Sequence, residues 1–228
     1  MTERMTHTPF SSLERTHSVT LARLKLRDLL ARRPLVRHAA MLGMWTLIWL
    51  AAIALPILLY AGGLQLVGNI DTVERGKLYR AATLSGPDLD AVIRAAHIQT
   101  VINLRGPNPN QPWYQDEVRV TEADHVRRID LPLSAMHVPG PKLLGDLIDA
   151  LEHSPGPILV HCSAGSDRTG LAAAIYEMMV ERKPVSVARG QLSFYWGHFP
   201  YLTSRTGAMD ETFASVAAEW VKTHPEAA

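Results

Sequence analysis

The chain has 228 residues, 47% of them hydrophobic and 20% charged, with a formal charge of +1. That is enough for one ordinary domain plus an appendage, and it excludes a disordered or repetitive protein. The charge is polarised: residues 1–38 carry eight Lys or Arg against three acids, a net of +5, which leaves −4 for the rest.

The basic stretch 1–38 opens the chain. Leu21, Leu24, Leu26, Leu29 and Leu30 lie among its cations, so it reads either as a solvated tail or as a short amphipathic helix on an anionic leaflet. From Ala39 to Gly63 there is no charge, and the core of this run extends from Trp45 to Tyr60. About 20 apolar residues cross a bilayer, so 39–63 is expected to be a transmembrane helix. Pro56 is tolerable there, and Tyr60 lies where an interfacial aromatic belongs. A cleaved signal peptide and a buried core helix are the competing readings, but the first usually has a shorter apolar region and the length and two-sided hydrophobicity of this run disfavour the second. The basic flank precedes the span, so the positive-inside rule places 1–38 in the cytoplasm. The remainder, 64–228, then faces the periplasm or cell exterior from the inner membrane.

This remainder reads as a single α/β domain. Asn69–Val73 and Lys77–Arg80 are expected strands around a Glu74-Arg75-Gly76 turn. Ser85-Gly86-Pro87-Asp88 supplies an N-cap, an early proline and a first-turn acid for a helix running toward Ala96. Strands follow at Thr100–Leu104, Val126–Leu131 and Ile158–His161, with helices at Gln111–Ala123 and Pro141–Glu152 between them. Further helices are expected over Leu171–Glu181, from Pro184 through Leu192, and over Met209–Val221. Alternating strands and helices imply a largely parallel central sheet flanked by helices, with ligands at the carboxyl ends of the strands.

One such end carries the most specific feature of the chain. The apolar run Ile158-Leu159-Val160 leads into His161-Cys162-Ser163-Ala164-Gly165-Ser166-Asp167-Arg168-Thr169-Gly170, and the helix-like Leu171–Ile175 follows. Cys162 is the only cysteine, so it can form no disulfide within the chain. A lone cysteine is ordinarily a buried structural residue. Here it must also account for a histidine before it, a glycine inside the loop and an arginine six residues on. A helix N-terminus offers unpaired N–H groups and partial positive charge, so the loop Ser163, Ala164, Gly165, Ser166 can cradle a phosphate-like anion. Arg168 adds a planar fork for two of its oxygens. The same positive surroundings favour the thiolate, the form that attacks phosphorus.

These residues resemble the His-Cys, five residues, Arg, Ser/Thr signature of the cysteine-dependent tyrosine and dual-specificity phosphatases. The Ala-Gly-x-Asp-Arg-Thr-Gly form is most similar to the bacterial and fungal branch. Resemblance continues through Gly76–Arg80, Thr100–Arg105 and Gln191-Leu192-Ser193, and so covers about residues 69–215. It implies a dual-specificity-phosphatase-like fold and hydrolysis of a phosphomonoester through a phosphocysteine on Cys162. In that scheme Arg168 and the loop amides hold the phosphoryl oxygens, Thr169 hydrogen-bonds the sulfur, and His161 orients the loop. Arg105, at the end of a strand on the same sheet edge, would hold substrate phosphate or a neighbouring loop.

The family's general acid has no counterpart here, because the matching stretch Leu131–Pro139 contains no carboxylate. Asp167 within the loop is the first candidate, and Asp130 and His137 are the alternatives; Asp167 serves equally well as a structural carboxylate. Trp113, Tyr114, Tyr195, Trp196 and His198 are expected to rim the cleft. The implied substrate is a phosphorylated protein, with a phosphoinositide as alternative. A catalytically weak phosphate-binding module and a rhodanese-like sulfur transferase are the other readings. No metal, cofactor or nucleic acid is implied.

Overall fold

The structure is a computed structural model that describes residues 11–201 and 204–227. It divides into two compact units, Met1–Leu58 and Leu59–Ala228. Helix α1 (Ser11–Leu66) accounts for the described part of the first unit and closes in the second. The first ten residues of the basic stretch, and the side chains of its leucines, lie outside the described residues. Within α1, His38–Leu64 is long and apolar enough to cross a membrane, with a mean hydropathy of 2.2. Among the described residues, those from His38 to Tyr60 are exposed without interruption, Leu47, Ile48, Trp49 and Leu50 among them, so the apolar side chains stand out on every side of this stretch.

The second unit is built on a five-stranded sheet, with β1 (Asp71–Glu74), β2 (Leu78–Ala81), β3 (Thr100–Asn103), β4 (Arg127–Asp130) and β5 (Ile158–His161) in spatial order β1-β2-β5-β3-β4. The four strands β2, β5, β3 and β4 are parallel, but β1 pairs antiparallel with β2. The sheet is therefore largely parallel, as expected, and mixed only through its antiparallel edge strand β1. Only a tight turn separates β1 from β2, with Gly76 at φ +74°, and so short a connection can return the chain only antiparallel.

Side chains alternate across β5, and that alternation divides the core in two. Ile158 and Val160 pack with α4 (Pro141–His153), α5 (Asp167–Met179) and α7 (Gly207–Thr223). Leu159 faces the opposite side, joining Leu89 and Ile93 of α2 (Gly86–Ala96) and Val120 of α3 (Pro112–Ala123). Every residue of β3 and β5 is buried, as expected for central parallel strands covered on both faces. Helix α2 starts where Ser85 caps it, its side chain accepting from the Asp88 N–H.

Two helices differ from the sequence expectation. Helix α5 begins at Asp167 rather than Leu171, so Asp167, Arg168 and Thr169 form its first turn. The helix expected from Pro184 to Leu192 is broken into α6 (Val185–Ala188) and a 3-10 turn over Arg189–Gln191. The break turns Gln191 inward, where its backbone and side-chain oxygens both accept from Arg80.

Candidate active site

The loop 162–166 joins the central strand β5 to the N-terminus of α5, so it lies at the carboxyl edge of the sheet between β2 and β3. Its shape follows from where its carbonyls are held. The Cys162 carbonyl accepts from Thr83 Oγ1 at 2.9 Å, and that of Ser163 from the Thr83 N–H at 3.2 Å. The Ala164 carbonyl accepts from Asn69 Nδ2 at 3.0 Å, and that of Gly165 from Arg80 Nη2 at 2.7 Å. In a trans peptide the N–H points opposite the carbonyl. Four successive carbonyls tied to the scaffold therefore turn the N–H edges of the following residues toward the other side, the geometry of an anion cradle.

Gly165 makes this curl feasible. Its φ is +71°, and a Cβ there would stand 2.8 Å from the backbone of Ala81 and of Ala82. Gly170, one turn into α5, has a similar role, since a Cβ would meet the Gln191 carbonyl oxygen at 2.8 Å.

Cys162 is buried. Arg168, in the first turn of α5, is part-exposed and donates from Nη1 to the Leu133 carbonyl at 3.2 Å and the Leu104 carbonyl at 3.4 Å. Those carbonyls hold the guanidinium between the end of β3 and the loop after β4. Arg105 shares this edge. Its guanidinium lies 3.7 Å from the centre of the Trp113 ring and donates to Thr83 Oγ1, the same hydroxyl that holds the Cys162 carbonyl. Partial burial, and then the positive charge of Arg168, push the Arg105 guanidinium below its ordinary value. Thr169 Oγ1 is fully buried and makes no hydrogen bond among the described residues, to the sulfur or otherwise.

His161 is buried against Glu117 of α3, with Nε2 2.9 Å from Oε2, although off the axis of a formed hydrogen bond. Asp167 does not stand free in the loop: its Oδ1 is 2.7 Å from His198 Nδ1, and His198 Nε2 is 2.8 Å from Asp210 Oδ2 on α7. Burial opposes charge on the His198 ring, but the hydrogen bonds to the two carboxylates outweigh it and raise its pKa. Asp130 accepts from Asn103 Nδ2 at 2.8 Å and from the Tyr114 hydroxyl at 2.6 Å. His137 is exposed and lies 2.9 Å from Ser134 Oγ, on the loop that receives Arg168.

The five expected rim residues do not form one wall. Tyr114 is buried and His198 is the tie between two carboxylates, while Trp113 lies against Arg105 and Trp196 against Arg80. Only Tyr195 projects into solvent as a large exposed ring.

Arg80, Gln191, Asn69 and Thr83 carry much of the site, yet sequence reasoning gave none of them a role. Arg80 is fully buried and reaches Gly165 with one Nη and Gln191 with the other, while its guanidinium lies 4.1 Å from the Trp196 ring centre. Burial pulls its pKa down to about 10, and attraction to Cys162 is the largest opposing effect. Arg80 thus stays cationic at neutral pH beneath the loop. Glu117 did have a signal: it sits at helical spacing between the buried Tyr114 and Val120, an acid on an apolar stripe.

Comparisons with known proteins agree with this picture. The dual-specificity protein phosphatase TpbA of Pseudomonas aeruginosa is 31% identical over 106 residues, which is 46% of this chain and 44% of that protein. The chain thus spans a little under half the length of the curated relatives it matches. The crystal structure of P. aeruginosa TpbA in complex with pTyr superposes with a TM-score of 0.51 at 21% identity, over 68% of this chain and 91% of that one. The core catalytic domain of a PP-IP phosphatase from S. cerevisiae gives a TM-score of 0.50 at 16% identity, over 67% of this chain and 94% of that one. These two likenesses establish a shared fold. A family model described as the tyrosine phosphatase family matches residues 61–189, more than half of the chain and including the whole Cys162 loop. The chain belongs to the tyrosine phosphatase family.

Proposed function

We propose that this protein is a membrane-anchored phosphatase of the tyrosine/dual-specificity type, working through a phosphocysteine on Cys162. The observation that carries the reading is the set of four loop carbonyls held outward beside Cys162 and Arg168. In the first step Sγ attacks phosphorus and the bond to the leaving oxygen breaks. In the second, water attacks the phosphorus, the S–P bond breaks, and phosphate leaves with the thiolate restored. Arg168 and the loop amides stabilise the equatorial oxygens in both steps. Arg105 adds positive charge at the rim, and His161 with Glu117 sets the loop from below.

The three candidate proton donors are held differently. Asp167 accepts from His198, and Asp130 from Tyr114 and Asn103, so both carboxylates already serve as acceptors. His137 is exposed on the loop tied to Arg168, and in this reading it protonates the leaving oxygen. The pH–rate profile of His137→Ala should lose its basic limb while those of Asp167→Asn and Asp130→Asn keep theirs. Loss of that limb in an aspartate variant instead would transfer the role.

The substrate class that fits is a phosphorylated protein, phosphotyrosine foremost; TpbA was crystallised with that group. Residues 39–63 would span the inner membrane, with 1–38 in the cytoplasm and 64–228 outside it. The exposure of apolar residues around this helix supports the span, since such a surface is not stable in water. The test of activity is turnover of an aryl phosphate by the full chain in detergent beside Cys162→Ser; equal rates would remove the enzyme reading. A reporter fused after Ala228 that works only outside the cytoplasm tests the orientation.

A further inference from the structure

Large aromatic rings are exposed together at one place on the second unit. Phe194, Tyr195, Phe199 and Tyr201 are 42%, 62%, 44% and 66% exposed, although rings of this size usually bury most of their area. Three of them form a chain of edge contacts, Phe194 to Phe199 at 6.1 Å and Phe199 to Tyr201 at 5.2 Å between ring centres, and Tyr195 stands edge-on to Trp196 at 4.6 Å. The chain continues onto Tyr60, whose ring lies 5.7 Å from that of Phe194 and whose hydroxyl donates to the Tyr195 carbonyl at 2.6 Å. Leu66 and Val67, a few residues beyond Tyr60 in sequence, are also exposed apolar side chains, at 90% and 66%.

Tyr60 decides what covers this surface. It stands at the close of the uncharged stretch 39–63, so wherever that stretch crosses a bilayer, connectivity alone puts Tyr60 at the boundary between acyl chains and headgroups. Tyr and Phe rings bound to Tyr60 must lie at nearly the same depth, and tyrosine, with an apolar ring and a polar tip, is favoured there. We infer that the aromatic cluster 194–201, with Tyr60, is a lipid-docking surface that seats the catalytic unit in the bilayer interface. The inference rests on the reading of 39–63 as a membrane span.

Docking here reaches the site through residues interleaved with the exposed rings. Trp196 lies on Arg80, and its carbonyl accepts from the same Asn69 amide that holds the Ala164 carbonyl. His198 holds Asp167. Seating Phe194, Tyr195 and Phe199 in lipid therefore fixes the segment that buttresses the phosphate loop, and it favours substrates presented close to the membrane surface.

The test places a nitroxide label on single cysteines in the full-length Cys162→Ser chain, in vesicles of phosphatidylcholine and phosphatidylglycerol. Labels go at Leu50 in the apolar span, at Tyr201 in the cluster and at Lys142 on α4, and oxygen and a nickel chelate serve as apolar and polar collision partners. The Leu50 label should be deep. The Tyr201 label should lose nickel accessibility severalfold relative to Lys142, and Phe194→Ser with Phe199→Ser should restore it. Agreement of the thermal melts with that of the parent shows that the labelled variants are folded. A deep Leu50 label with Tyr201 as wet as Lys142 overturns the docking surface while the span stands. A wet Leu50 label removes both. A Tyr201 depth that ignores the two serines also overturns it, and spin–spin broadening with low accessibility to both partners would assign the surface to a second copy instead.

Discussion

Replacing Arg80 by lysine keeps the charge and the approximate length but removes the fork, and the structure indicates what that should cost. One Nη group donates to the Gly165 carbonyl at 2.7 Å and the other to the Gln191 side chain, and Trp196 covers the guanidinium at 4.1 Å. A single ammonium cannot reach both acceptors, so one charge-assisted hydrogen bond is lost and a buried acceptor is left unpaired. Hydrogen bonds to charged groups contribute about 1.5–3 kcal/mol, and loss of the planar contact with Trp196 adds up to about 1 kcal/mol. Arg80 is completely buried, so solvent screening does not reduce these figures. The expected loss of stability is about 1.5–4 kcal/mol, read from the urea midpoint of the full chain at unchanged slope. The Gly165 peptide is part of the cradle, and its displacement should lower kcat toward aryl phosphate about a hundredfold, in line with the sensitivity of catalysis to small misplacements. A variant within about 0.5 kcal/mol and twofold in kcat of the parent, figures inside ordinary surface-mutation scatter, would refute the placement of Arg80 as the buttress of the loop.

Three further outcomes follow from the same contacts. Gly165→Ala should abolish turnover while leaving the chain folded, because the left-handed φ costs only about 1–2 kcal/mol but a Cβ 2.8 Å from the Ala81 and Ala82 backbone must push the loop out of shape; normal kcat in this variant, measured with aryl phosphate, would contradict the cradle. His198→Gln should destabilise more at acid than at alkaline pH. The folded-state pKa of His198 is raised above its unfolded value, so its stabilisation is complete below about pH 6.5 and fades as pH rises through the folded value. Urea midpoints that differ from the parent equally at pH 6 and pH 9, two points chosen to bracket that range, would remove the charged tie between Asp167 and Asp210. Glu117→Ala leaves His161 buried without its acid and should lower kcat about tenfold or more with KM nearly unchanged, since the pair lies beneath the loop rather than against substrate.

The strand-loop-helix around Cys162 was legible because its chemistry is local: apolar residues before, helix formers after, and a glycine and an arginine at fixed offsets. The Ser85 cap and the Pro141 start of α4 were legible for the same reason. What stayed hidden is long-range. Nothing near Arg80 in sequence shows that β2 lies beside β5, a pairing that brings it beneath Gly165 and opposite Gln191. Asp167 read equally as a proton donor and as a structural carboxylate, and the sequence could not name what it pairs with because its partner is 31 residues away and that partner's second carboxylate lies on another helix. The alternation of strands and helices made a largely parallel sheet legible, and the length of the β1–β2 turn accounts for its one antiparallel edge.

The phosphocysteine is the central claim, and rapid-quench trapping tests it most directly. The full chain, mixed with an excess of radiolabelled aryl phosphate and quenched within one turnover, should carry label on the peptide containing Cys162, with a burst of released phenol matching its amount. Cys162→Ser should show neither. Steady turnover with no labelled peptide, at a rate that Cys162→Ser retains, would contradict the account.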